Sequence, residues 1–364
     1  METLMQGPVG PSVTLNGHVV DYFCGTSYYG LHADLRVIQA ACSALRQFGT
    51  GPGNTVATPP SRELMTQISS FFGTEDARVV ASGYLADMML LQTLSARYDV
   101  AFVDERSHYS VVDGVRAIGT PVIGFAHLDP GDLRAKLRAE LKARETPLVI
   151  SDGVFPVTGD IAPVSELMEI MAEYDHGLLC IDDSHGVGVL GDHGRGTLEH
   201  ECVDHPNAYF AATLSKAFGG LGGFVTGTKA FAADVTRSNR IPEGASPLSI
   251  GATAAAVAGL KILATHPEMR AALRSNVSHL RRKLADIGFD AGDSPVPIIC
   301  LRGRAGLDLE RMATALRSEG LVVSHIAPRG YSDAPGVEVL RIAVFSGHTT
   351  EQLDRLAGAI ARFA

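Results

Sequence analysis

The chain has 364 residues, 46% of them hydrophobic and 20% charged, with 31 basic against 40 acidic side chains and a net charge of −9. That balance excludes a disordered polymer, which would be poor in apolar residues, and the acidic surplus leaves no global basic footprint for nucleic acid. The five cysteines, Cys24, Cys42, Cys180, Cys202 and Cys300, are odd in number, widely spaced and form no CxxC pair, so neither a disulfide framework nor a zinc site is expected. No apolar run reaches the roughly 18 residues of a membrane span, and the N-terminus lacks the pattern of a signal peptide. A reducing cytoplasm is the expected location.

In chain order, apolar residues at 35, 38, 42 and 45 fall at helical spacing, and Gly49-Thr50-Gly51-Pro52-Gly53 breaks that helix. Ser61 is expected to cap a second helix carrying Leu64, Ile68 and Phe71 on one face. Short β-rich runs then follow at 78–81, 100–103, 121–125, 148–151, 178–181, 208–213 and 224–226, with helices between several of them, as at 130–145 and 164–174. Near-continuous apolar strands separated by helices predict an α/β fold with a mostly parallel sheet covered on both faces. After about residue 245 the pattern changes to long helices at 250–265 and 266–287, strands at 296–301, 321–326 and 337–345, and a last helix with a Thr349–Gln352 capping box. This predicts an N-terminal segment (1–48), a large domain (49–245) and a smaller α+β domain (246–364), with a linker around 241–247.

Four segments at predicted strand ends carry chemistry. Ala81-Ser82-Gly83-Tyr84 opens a helix, where free N–H groups favour phosphate; alone, it reads equally as an ordinary turn. His108, in Asp104-Glu105-Arg106-Ser107-His108-Tyr109-Ser110, can serve as acid, base or flat stacking surface. Cys180-Ile181-Asp182-Asp183-Ser184-His185-Gly186-Val187-Gly188 puts two carboxylates at the end of an apolar strand, which is costly unless a partner holds them. A metal would do so, but no matching ligand cluster occurs elsewhere. A protonated heterocyclic nitrogen would also. Thr213-Leu214-Ser215-Lys216-Ala217 places a lysine among hydroxyls, suited to phosphate binding or to an amine nucleophile. Together the four describe a site for pyridoxal phosphate (PLP): Lys216 for the aldehyde, Asp182 for the pyridine nitrogen, His108 for stacking, and the N–H groups after Ser82 for the phosphate.

These segments, with Tyr29-Gly30-Leu31, Asp152-Gly153-Val154-Phe155 and Gly159-Asp160-Ile161-Ala162-Pro163, resemble the α-oxoamine synthases of PLP fold type I. The resemblance runs from about Asp21 to the C-terminus. It implies a PLP-dependent transferase fold with a large domain and a smaller C-terminal one. The implied activity is condensation of an α-amino acid with an acyl thioester such as an acyl-CoA, with loss of CO2, in a homodimer with a shared site. By the same resemblance Lys216 matches the Schiff-base lysine, Asp182 the pyridine-nitrogen carboxylate, His185 the histidine near the phenolic oxygen and His108 the stacking histidine. Ser82, Gly83, Tyr84, Thr213 and Ser215 fall with the cofactor-binding positions. Ser246 falls where the other subunit supplies a phosphate ligand. Arg341 matches the arginine that binds the amino-acid carboxylate, and Ser27 and Tyr29 fall on the substrate side. The pattern departs at Ser27 (Asn in the family), Pro156 (Ser), Asp87 (Asn) and the 54–60 loop. These departures keep open a PLP enzyme that works without an acyl thioester: an aminotransferase, aldolase, racemase or decarboxylase. A nicotinamide reductase is disfavoured, because neither Gly49/Gly51/Gly53 nor the 219–223 glycines spell GxGxxG after a strand.

Overall fold

Alternate residues of the apolar strands feed two opposite faces of one sheet. Ala101, Val103, Leu148, Ile150, Leu178 and Cys180 pack into one buried layer, while Val100, Phe102, Val149, Leu179 and Ile181 pack into the other. The computed structural model describes residues 3–51, 57–303, 306–328 and 338–363, and in it the chain divides into two compact units.

The larger unit comprises Arg36–Phe155 and Ile161–Thr265. Its seven-stranded sheet runs in the order Asp76–Val80, Gly223–Gly227, Ala208–Thr213, Leu178–Asp182, Pro147–Asp152, Val100–Asp104, Val122–Phe125. All neighbouring pairs are parallel except the two made by Gly223–Gly227, which are antiparallel. Helices Gly83–Leu94, Tyr109–Ile118 and Lys229–Ser238 contribute to one buried layer, and Pro130–Glu140 and Val164–Ala172 to the other. Each large apolar side chain fully buried there contributes roughly 1.5–3 kcal/mol. Short helices such as these are marginal on their own, so burial rather than propensity holds them.

The smaller unit comprises Met1–Leu35, Pro156–Asp160 and His266–Ala364. One three-stranded sheet joins the hairpin Ser12–Leu15 and His18–Tyr22 to Leu321–Val322; the other is ordered Ile298–Arg302, Val339–Ala343, Ser324–Ile326. The predicted strand at 321–326 is therefore two strands, broken at Val323 and divided between sheets. Helices Pro267–Asp286, Leu309–Ser318 and Thr350–Ile360 complete the unit.

The boundary between units falls at residue 265, not at the expected 245. Helix Ile250–Thr265 packs on helix Pro59–Phe72, and a methyl at Gly259 would come within 1.8 Å of the Phe218 carbonyl oxygen, so it belongs to the larger unit. Helix Pro59–Phe72 is capped by Thr58, not Ser61. Ser61 is the N3 residue that completes a reciprocal capping box. The expected helices at 130–145 and 164–174 end earlier, at Glu140 and Ala172. Residues 52–56 of the departing loop, and Val337, lie outside the described residues. Among the described residues no helix is long and apolar enough to cross a membrane.

Candidate active site

Four parallel strands end in polar residues on one edge of the large sheet. Asp104, Asp152, Asp182 and Thr213 are the last residues of Val100–Asp104, Pro147–Asp152, Leu178–Asp182 and Ala208–Thr213. In the register Asp152 stands beside Asp182, and Asp182 beside Ala211. The carboxyl edge is where open α/β sheets bind ligands.

The adjacent aspartates divide their tasks. Asp182 accepts the Ser184 N–H at 3.0 Å through Oδ1. Asp183 is wholly buried, accepting the Thr197 N–H at 2.7 Å through Oδ2 and the Thr197 hydroxyl at 2.6 Å through Oδ1. Methyl groups at Gly153, Gly186 and Gly196 would lie 2.6, 2.0 and 1.9 Å from its carboxylate oxygens. Those glycines are what let the loops close around it. Burial pushes the Asp183 carboxyl up to about 7, against the pull of its bonds to Thr197.

Gly188 serves a different contact. Its φ is +79°, and a methyl there would stand 2.6 Å from the Ala217 Cβ, next to Lys216. Gly188→Ala should therefore cost at least about 1 kcal/mol, read as a lower midpoint of urea unfolding.

At the start of helix Gly83–Leu94, Ser82 is extended and its Oγ accepts the Leu85 N–H at 3.3 Å. The cap does not take the first-turn N–H groups of Gly83 and Tyr84. A methyl at Gly83 would lie 2.8 Å from the Thr213 Cβ, so glycine permits the helix start to sit against the strand end. The Thr213 hydroxyl donates to the Gly222 carbonyl at 3.0 Å, accepts the Ser215 N–H at 3.2 Å and stands 2.8 Å from Ser215 Oγ. Lys216 follows, half-buried. Tyr84 turns its hydroxyl to Asp113 and its ring toward Tyr109.

His108 is the N-cap of helix Tyr109–Ile118. Its backbone N–H donates to Asp152 Oδ1 at 3.0 Å, and its ring Nδ1 lies 2.7 Å from Ser110 Oγ. Burial pulls the imidazole's pKa down and the Lys216 charge adds to that, while Asp182 and Asp113 oppose it. His185 is buried in the loop that follows Asp182. Asp104 is committed to structure, accepting from His127 Nδ1 at 3.0 Å and from the Arg106 and Leu128 N–H groups.

The large unit thus gathers Ser82, Gly83, His108, Asp182, His185, Thr213, Ser215 and Lys216. Ser246 is exposed, in the coil after helix Ile241–Gly244. Ser27, Tyr29 and Arg341 belong to the smaller unit and are buried there. Ser27 Oγ lies 2.6 Å from His32 Nδ1, and burial pushes the Tyr29 phenol up. Arg341 Nε donates to the Pro156 carbonyl at 2.7 Å and its Nη1 to the Gly25 carbonyl at 3.4 Å. Sequence reasoning gave no role to Asp152, Ser110 or Asp87, all buried beside the site. The available signal was an aspartate closing an apolar strand, for Asp152, and a carboxylate inside an apolar helix, for Asp87.

Chemically, the edge offers an amine, a buried carboxylate for a protonated heterocycle, an imidazole face, and N–H and hydroxyl donors for an anion. A phosphorylated pyridine aldehyde fits that set.

The sequence matches the family described as aminotransferase class I and II over residues 24–360. It is 33% identical over 355 residues to an 8-amino-7-oxononanoate synthase of Thermosipho melanesiensis, covering 96% of this chain and 90% of that one. It is 31% identical over 370 residues to a serine palmitoyltransferase of Sphingobacterium spiritivorum, covering 98% and 90%. Among solved structures, a Sphingomonas wittichii serine palmitoyltransferase superposes with a TM-score of 0.90 at 27% identity, covering 99% of this chain and 91% of that one. With its parallel sheet, its strand-end site and a match that spans nearly its full length, the chain belongs to the aminotransferase class I and II family, alongside the α-oxoamine synthases.

Proposed function

We propose that the chain is a PLP-dependent acyltransferase that condenses an α-amino acid with an acyl thioester, with loss of CO2, to give an α-amino ketone. The observation that carries this reading is the convergence of Lys216, Asp182, His108 and the helix start at Gly83 on one sheet edge. Relatives named for 8-amino-7-oxononanoate synthesis and serine palmitoyl transfer, matched over nine-tenths of their length, support the acyl-transfer step.

Lys216 would hold the cofactor's aldehyde carbon, Asp182 its protonated ring nitrogen, His108 its ring face and His185 its phenolic oxygen. The Gly83 and Tyr84 N–H groups, with Ser82, Thr213 and Ser215, would hold its phosphate. When bound, PLP supplies an electron sink for the carbanion left at the substrate α-carbon. Lys216 Nζ and the His108 imidazole are the groups able to hold and move the proton released there. Burial keeps His108 neutral and able to accept. A guanidinium fork suits a carboxylate, and that role is proposed for Arg341, with Ser27 and Tyr29 assigned to the substrate.

A homodimer is part of the proposal. Leu35, Ile38 and Leu45 form an exposed apolar stripe on helix Leu35–Phe48, with exposed Cys42 among them. An exposed Ser246 is free to serve a partner's phosphate site. Ser246→Ala should weaken PLP retention about tenfold in a fluorescence titration, as loss of a hydrogen bond to a charged group does. Unchanged affinity, or a monomer in sedimentation, would count against the shared site. Five free cysteines support a reducing, cytoplasmic setting.

The test is turnover. The PLP-loaded chain would be offered a panel of amino acids with acyl-CoAs, following free thiol and product mass. Release of CoA with formation of an amino ketone is expected. Conversion of an amino acid while every thioester stays intact would overturn the acyl-transfer reading.

A further inference from the structure

Asp87 sits fourth from the end of no strand and in no loop: it projects from the apolar helix Gly83–Leu94 and is only 3% exposed. The Ser110 hydroxyl, itself buried, donates to Asp87 Oδ2 at 2.7 Å. On its other side Ser110 Oγ lies 2.7 Å from His108 Nδ1. Asp87 is also in side-chain hydrogen-bond contact with Asp182. Two carboxyl groups in such contact must share a proton, because two buried like charges cannot both persist there.

We propose that Asp87 is held as the neutral carboxylic acid, donating to Asp182, and that Asp87 and Ser110 form a hydrogen-bonded relay from Asp182 to His108. The role given to Asp182 toward the cofactor rests on the function proposed above. The relay itself rests on this chain's own contacts.

The surrounding charges favour the proton on Asp87. Asp182 and Asp152 face it across the strand ends, Cys180 and Tyr84 are its other titratable neighbours, and burial with those two carboxylates pushes it well above the usual carboxylate range. His108 is faced by Asp182, Asp113 and Lys216. Asp152 is tied to the His108 N–H.

The donors then order themselves. The Asp87 O–H donates to Asp182, the Ser110 O–H donates to Asp87 Oδ2, and Ser110 Oγ accepts from the His108 Nδ1–H. That leaves Nε2 as the imidazole's acceptor. A proton taken up at Nε2 makes an imidazolium whose Nδ1–H is already held. Ser110 and Asp87 are thus positioning residues: they fix the tautomer of His108 and hold one negative charge, not two, next to the ring nitrogen.

Infrared and NMR spectroscopy on the full chain, recorded before and after PLP is added, test this. At neutral pH the wild-type spectrum should contain a protonated-carboxyl stretch that Asp87→Asn loses. The other raised carboxyls, Asp152 and Asp183, cancel in the difference. In Asp182→Asn that stretch should titrate away at lower pH, because the repulsion that holds the proton is gone. Nitrogen-15 shifts of His108 should report the Nδ1–H tautomer in wild type, a shift toward Nε2–H in Ser110→Ala, and recovery in Ser110→Thr. A carboxylate band lost instead in Asp87→Asn, an unmoved midpoint in Asp182→Asn, or an unchanged tautomer in Ser110→Ala would each overturn the relay. Failure of PLP to bind would sink the cofactor reading while these signals still decide the relay.

Discussion

Replacing Lys216 by alanine should lower turnover by on the order of 10³-fold or more, while the chain keeps its fold. Lys216 stands just beyond the strand Ala208–Thr213, half-buried, and its charge acts on both His108 and Asp152. An amine at that point is asked to do two things: to hold a carbonyl carbon covalently and to move a proton at the α-carbon. Alanine removes both. Lys216→Arg separates charge from nucleophilicity, because a guanidinium keeps the positive charge but does not deprotonate to attack a carbonyl. It should be nearly as inactive as alanine. Borohydride reduction of the PLP-loaded chain, followed by peptide mass analysis, gives a readout independent of turnover. The wild-type peptide containing Lys216 should gain the reduced cofactor, and neither variant should. Labelling at another lysine, or turnover within tenfold of wild type in Lys216→Ala, would overturn the assignment.

The large sheet was legible because its strands are apolar on both faces. The same residues that make the runs 100–103, 148–151 and 178–181 continuous alternate between two buried layers, so continuity itself announced a covered parallel sheet. The motif residues were legible because chemistry constrains them locally: a cap before a glycine, an aspartate after a strand, a lysine among hydroxyls. Other features depend on partners distant in sequence. Nothing local says that Asp182 faces the sheet edge while Asp183 turns to Thr197, fourteen residues on. The relay through Asp87, Ser110 and His108 joins two helices whose approach only the packed sheet defines. The hairpin Ser12–Leu15 and His18–Tyr22 did carry a strong local signal, the Asn16-Gly17 turn with φ of 48° and 85°, and was passed over. Strand 321–326 was misread because propensity cannot see Val323 hand the chain from one sheet to the other.

Asp183 should prove a structural residue whose charge works against the fold. Asp183→Ala leaves the Thr197 N–H and hydroxyl without their acceptor and empties the space that Gly153, Gly186 and Gly196 close around, at a cost of about 2–4 kcal/mol. Asp183→Asn keeps an acceptor for the Thr197 N–H and removes only the titration. The sign of the pH effect follows from the raised carboxyl. Unfolded, this group ionises near 3.8; folded, it ionises at about 7. Between those values the folded chain binds the extra proton, so the stability this group contributes is fully present below about 3.8 and is lost as pH rises toward 7. Asparagine has no such loss. The stability of Asp183→Asn relative to wild type should therefore improve steadily between those two values and level off above the upper one. Because Asp87 and Asp152 titrate in both proteins, their effects drop out of the comparison. Urea unfolding midpoints across that range provide the measurement, and a difference that does not change with pH would refute the buried-acid account of Asp183. Turnover makes the contrast with its neighbour. Asp183→Asn should stay active at a temperature where it is folded, whereas Asp182→Asn should lose activity without losing stability, since the same residue type one position earlier faces the chemistry instead of the loop.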